Sequence, residues 1–66
     1  MNIDEIKQRV ADIDAMKDDP ERAHISESAL MDDFIKDIAD NGPADLAEMA
    51  KEVLKTWHID FPRWFA

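Results

Sequence analysis

The sequence predicts an all-α fold, a small bundle of three short helices with the aromatic C-terminal tail packed on it. Alanine, lysine and glutamate are frequent and glycine occurs once, which favours helices over turn-rich β structure. Apolar residues recur at spacings of three and four in three segments, which proline-containing breaks separate. At 66 residues the chain is expected to form one helical domain over positions 1–66.

The first predicted helix runs roughly from Ile3 to Lys17. Asn2 can accept a hydrogen bond as its N-cap, and Glu5 stands three residues later, as in a capping box. The apolar stripe of this helix consists of Ile3, Ile6, Val10 and Ile13. The triplet Asp18-Asp19-Pro20 then ends the helix, because the residue before a proline is pushed out of the helical conformation.

The second predicted helix ends near Asp40. A short turn from Pro20 to His24 is expected before it, with Ser26 or Ser28 as its N-cap. Its apolar face consists of Leu30, Met31, Phe34, Ile35 and Ile38. Asn41-Gly42-Pro43 is a strong stop signal, because glycine can adopt a positive φ and the proline cannot continue the helix.

The third predicted helix spans about Ala44 to Trp57, and Pro43 can start it. Acidic residues lie in its first turn and lysines lie towards its end, which matches the helix dipole. Its apolar stripe consists of Leu46, Ala50, Val53, Leu54 and Trp57, with Met49 at the margin.

The last ten residues hold four of the five aromatic side chains: Trp57, Phe61, Trp64 and Phe65. Each buried ring removes about 150–250 Å² from water, so leaving all four exposed would remove much of the available core. We therefore expect the tail to fold back over the helices. The alternative is partial exposure as a binding or self-association surface.

The formal charge of −8 comes from 16 acidic and 8 basic residues. It opposes direct binding to nucleic-acid backbones and anionic membranes, and it favours a basic protein partner. No segment approaches the ~20 apolar residues of a membrane span, and the N-terminus lacks signal-peptide features, which predicts a cytoplasmic protein. Without cysteine, a chain this short depends on tight packing or self-association, so a homo-oligomer stays open.

No motif of catalysis, cofactor binding or metal binding is found, so we expect no enzyme and no cofactor. The aspartates at positions 12–19 lack the central glycine and final glutamate of an EF-hand loop. Nucleophile elbows, phosphate-binding loops and zinc-protease motifs are likewise missing from the sequence.

Five residues are candidates for partner binding. Asp33, Asp37 and Asp40 fall within about 60° of one another on a helix, and this pattern is a candidate negative surface for a basic partner. An ordinary solvated helix face is the alternative. In the tail, Arg63 and Trp64 are the further candidates. Arg63 could stack on an aromatic ring or pair with an acidic residue, with a solvated arginine as the alternative, and Trp64 belongs to the contact surface if the tail is partly exposed.

Three segments resemble a group of short bacterial and phage-borne proteins of unassigned function. They are positions 18–24, with an Asp-x-x-x-Ala-His element, positions 27–38, and the tail Ile-Asp-Phe-Pro-Arg-Trp-Phe-Ala. The group ends in Ile-Asp-Phe-x-Arg-Trp-x-Ala. The resemblance implies a bacterial or phage cytoplasmic setting, and it carries no activity or site residue.

Two functions are consistent with these observations. The first is a small acidic, non-enzymatic protein-binding accessory factor of bacterial or phage origin. The alternative is a nucleic-acid mimic that inhibits a DNA- or RNA-binding protein by occupying its basic groove. Replacing Asp33, Asp37 and Asp40 with asparagine is expected to abolish binding by a mimic and to matter little if apolar contacts dominate.

Overall fold

The computed structural model describes residues 1–62 as three α-helices followed by a short 3₁₀ helix. Helix α1 is Ile3–Ala15, α2 is Pro20–Asn41, α3 is Ala44–Leu54, and the 3₁₀ helix is Lys55–His58. The helices pack against one another and no strand occurs in residues 1–62, which confirms the predicted all-α class.

The N-terminus of α1 is capped as predicted. The Asn2 Oδ1 accepts a hydrogen bond from the Glu5 backbone N–H at 2.9 Å, and the Asn2 Nδ2 donates to Glu5 Oε1 at 3.2 Å. The first bond satisfies one of the backbone donors that a helix start leaves without an intrahelical partner, and the second joins the two side chains. The helix ends at Ala15, two residues before the predicted end at Lys17.

Helix α2 begins earlier than predicted. Asp19 is its N-cap, with Oδ1 accepting from the Arg22 backbone N–H at 3.3 Å, and Pro20 is its first residue. The predicted turn at 20–24 and the predicted caps Ser26 and Ser28 are therefore wrong, since both serines lie inside the helix. Proline has a backbone φ suited to the first helical position, and here it directly follows an aspartate cap. These two residues are sufficient to start the helix, so no serine cap further along is required.

The turn between α2 and α3 depends on the small size of Gly42. Its φ is −78°, so the positive φ that the sequence suggested is not used. The Gly42 backbone N–H donates to the Ile38 carbonyl oxygen at 2.8 Å, and a Cβ on Gly42 would lie 2.6 Å from that oxygen. The two-residue connection Gly42-Pro43 then brings α3 back along α2 as a helical hairpin.

The three helices form a single layer. Helix α2 lies in the middle and packs against both α1 and α3, whereas α1 and α3 do not contact each other within residues 1–62. The Cα positions span 39 × 34 × 10 Å. Two stacked helices need at least about 13 Å, because their axes lie 8–10 Å apart and each Cα cylinder adds about 2.3 Å. The 10 Å dimension therefore holds one helix layer.

Little of the described chain is buried. Ala39 on α2 and Ala50 on α3 are the buried residues among positions 1–62, and both are small. The radius of gyration is 13.6 Å, against about 11 Å for a compact domain of this length. Most of the apolar stripes that periodicity placed in a core are therefore only partly covered by the chain itself.

The described part of the tail is also exposed. Trp57 in the 3₁₀ helix is 47% exposed and Phe61 is 49% exposed. The candidate residues Arg63 and Trp64, and Phe65 beside them, lie outside the described residues, so their packing on the helices stays a prediction. No helix within residues 1–62 combines the length and apolar character that crossing a membrane requires.

Candidate functional site

One face of the helix layer carries seven large, exposed apolar side chains, and we call it the apolar face. Each of its members is between 43% and 62% exposed. They come from all three helices: Ile3 and Val10 from α1, Met31 and Phe34 from α2, and Leu46, Met49 and Val53 from α3. Several of these residues belong to stripes that the sequence predicted as core.

The contact between α1 and α2 places four of these residues on the same side. Ion pairs of Met1 with Asp37 and of Arg9 with Asp33 show that α1 runs antiparallel to α2. On one side of this contact lies an apolar groove lined by Ile6, Leu30, Met31 and Phe34. At 100° per residue, Ile3 and Val10 lie within about 60° of Ile6, towards this groove.

Helix α3 adds its exposed apolar flank to the same side. Ala47, Ala50 and Leu54 are its less exposed residues and face α2. The side chains of Leu46, Met49 and Val53 lie roughly 40–100° away from Ala50 in one rotational sense. Helices α1 and α3 lie on opposite sides of α2, and both are antiparallel to it. In right-handed helices arranged in this way, the side chains of this flank lie on the same side of the layer as Phe34.

The opposite side of the α1–α2 contact is a polar groove. Its lining brings together the three predicted aspartates with residues of α1. The lining residues are Met1, Glu5, Gln8, Arg9, Asp33, Lys36, Asp37 and Asp40. The layer therefore has an apolar face and a polar face, with the predicted acidic site on the polar one.

Two of the three predicted aspartates are paired with cations, one on α1 and one at the residue Met1 before it. The Arg9 Nη1 donates to Asp33 Oδ2 at 2.8 Å, and the α-amino group of Met1 donates to Asp37 Oδ2. The hydrogen bond from the α-amino group lowers the pKa of Asp37, helped by the Asn41 Nδ2, which donates to Asp37 Oδ1 at 3.0 Å. The same bond to Asp37 raises the pKa of the α-amino group.

These ion pairs reduce the negative charge that the acidic pattern can offer to a basic partner. The lining of the polar groove holds four carboxylates and three cationic groups, so its formal charges nearly balance. Both ion pairs join residues far apart in sequence and connect α1 to α2. Asp33 and Asp37 therefore link the α1 segment to α2, and Asp40 has no ion pair among residues 1–62.

The apolar face is the feature that the sequence analysis did not identify as a surface. Its residues have the three-and-four spacing of an apolar helix stripe. That spacing is the same whether the stripe is covered by the rest of its own chain or by another chain, so it does not distinguish a core from a binding surface. Within residues 1–62, no cluster of three or more His, Cys, Asp or Glu side chains is placed to hold a metal ion.

No protein-family model matches this chain, and neither does any curated protein or solved structure.

Proposed function

We propose that this chain is a non-enzymatic protein-binding accessory protein and that the apolar face is the surface through which it binds another polypeptide. The observation that carries the proposal is the size of this face. At about half exposure, seven large side chains leave on the order of 100 Å² each in water, or roughly 700 Å² together. The largest apolar patch on a typical monomer is about 300–600 Å².

The composition of the face also supports protein binding. Phe34 is the aromatic member of this face and lies on α2, the middle helix, and aromatic side chains contribute strongly to interface energies. Met31 and Met49 flank it with flexible side chains that adapt to a partner surface. A bacterial or phage cytoplasmic setting is part of the proposal and rests on the resemblance of the tail residues.

A matched pair of variants tests which surface binds. Met31 is 60% exposed on the apolar face, and Ile25 is 59% exposed on the same helix but about 120° away around its axis. Met31→Asp and Ile25→Asp therefore each replace a large apolar side chain with a carboxylate at nearly equal exposure. Affinity capture from the native host, with quantitative mass spectrometry, is expected to lose the polypeptide that binds the apolar face with Met31→Asp and to retain it with Ile25→Asp. Equal capture by both variants would contradict the proposal.

The nucleic-acid mimic is a second candidate, supported by the formal charge of −8. Its test needs aspartates that do not hold α1 to α2, which disqualifies Asp33 and Asp37. Asp32 and Asp40 are exposed and have no ion pair among the described residues, so Asp32→Asn combined with Asp40→Asn is the cleaner variant. A mimic is expected to lose its basic target in this variant and in high salt, whereas apolar binding survives both.

A further inference from the structure

We infer that the occupant of the apolar face is a second copy of this chain, so that two helix layers pack face to face as a homodimer. The inference rests on the proposed function of the apolar face as a binding surface and names the partner of that surface. Three properties of the molecule lead to it: how little the single layer buries, the area of the face, and the placement of the charges.

The first property is that one layer supplies too little core. Stable domains consist of at least two packed layers around a common core, and residues 1–62 form one layer. The buried residues among them are two alanines, and the sequence has no cysteine for a disulfide. Chains of this size commonly gain the missing stability by oligomerisation. The cover must then be present when the chain folds, and a second copy is made wherever this chain is made.

The second property is the area. Roughly 700 Å² per copy is close to the ~800 Å² that each partner buries in a stable interface of standard size. A two-fold dimer uses the same patch on both subunits, so the one apolar face serves both copies. The two layers together produce the usual arrangement of a helical domain, with an apolar centre between polar outer surfaces.

The third property is the charge. Two copies with a formal charge of −8 each repel one another. The polar groove, however, lies on the far side of a layer whose Cα positions are 10 Å deep, and the Debye length at physiological ionic strength is about 8 Å. Added salt should therefore screen the residual repulsion and tighten the dimer. A basic foreign partner predicts the reverse, because its attraction weakens with salt.

Sedimentation velocity across a concentration series, at low and high salt, tests the inference. The expected result is a dimer whose dissociation constant falls as salt is added. Met31→Asp places a carboxylate on both sides of the interface and is expected to raise that constant at least about a hundredfold. Ile25→Asp adds the same negative charge outside the apolar face. It is therefore expected to change the dissociation constant by no more than about threefold.

A second measurement covers the case in which Met31→Asp fails to fold. The sequence has no cysteine, so Met31→Cys and Ile25→Cys each introduce a single thiol at nearly equal exposure in the single chain. The rate of alkylation by iodoacetamide is expected to fall with protein concentration for Met31→Cys and to stay constant for Ile25→Cys.

A protein that sediments as a monomer at every concentration, with alkylation rates at both thiols that do not change with concentration, overturns the second copy as occupant. The capture experiment then decides separately about the proposed function. Partners lost with Met31→Asp but kept with Ile25→Asp would assign the face to a foreign protein. A monomer whose two variants capture the same proteins would contradict both the homodimer and the binding role of the apolar face.

Discussion

Dilution is the simplest perturbation that separates a self-sufficient single layer from a layer that needs a second copy. If folding and dimerisation are coupled, mass action makes the melting temperature depend on protein concentration. A monomer that is stable alone unfolds at a temperature independent of concentration. The buried alanines Ala39 and Ala50 give little reason to expect a stable monomer.

The size of the effect follows from the length of the chain. Unfolding absorbs about 0.7 kcal/mol per residue near 60 °C, so two chains of 66 residues absorb about 90 kcal/mol together. The midpoint of a coupled transition shifts by RTm² ln 10 divided by this enthalpy for each tenfold dilution. That is about 5–6 °C per tenfold and about 11 °C over a hundredfold range.

Far-ultraviolet circular dichroism at about 2 and 200 µM, with path lengths scaled to keep absorbance constant, measures this shift. Met31→Asp is the control and is expected to melt at a lower temperature with a weaker dependence on concentration. Ile25→Asp is expected to behave like the parent chain. A shift below about 1 °C across the hundredfold range would refute the coupling of folding to dimerisation.

Three further predictions concern single contacts. Gly42→Ala is expected to destabilise the chain by about 1–3 kcal/mol in urea unfolding, because the new Cβ meets the Ile38 carbonyl oxygen at 2.6 Å; an unchanged midpoint would disprove this steric role. Asp19→Ala removes the N-cap of α2 and is expected to lower the free energy of unfolding by about 1 kcal/mol, with Asp18→Ala as the near-neutral control; equal effects would exclude capping. The lowered pKa of Asp37 means that its contribution to stability is present above about pH 4 and is lost as the pH falls through the lowered pKa. Asp37→Asn should flatten the dependence of the melting temperature on pH in that acid range, and an unaltered pH profile would count against this ion pair.

The elements that could be predicted from the sequence are those with local causes. Asn2 and Glu5 cap α1 through bonds that span three residues, so the sequence alone contains both partners. A break in the helix before Pro20 follows from the backbone restriction that proline imposes on Asp19, although α1 already ends at Ala15. The error at the serines has a local cause as well, since Asp19 offers a cap earlier than Ser26.

The candidate site was harder to predict because its properties come from a neighbouring helix. The rule that like charges at i and i+4 repel treats Asp33 and Asp37 as members of an isolated helix. In the folded chain, Arg9 of α1 and the α-amino group of Met1, just before α1, pair with them. Periodicity cannot show which cations an antiparallel neighbour brings, so the sequence predicted an acidic surface where the structure has a nearly balanced groove.

The charge and the apolar face are best understood together. An open apolar layer would stack without limit if both of its sides were apolar. Here the second side is the polar groove with its ion pairs, so an interface that joins two apolar faces leaves polar surfaces outward and closes at two copies. The formal charge of −8 per chain then opposes contact between completed dimers. The acidic composition, which first suggested a basic partner, is on this view what limits self-association to a pair.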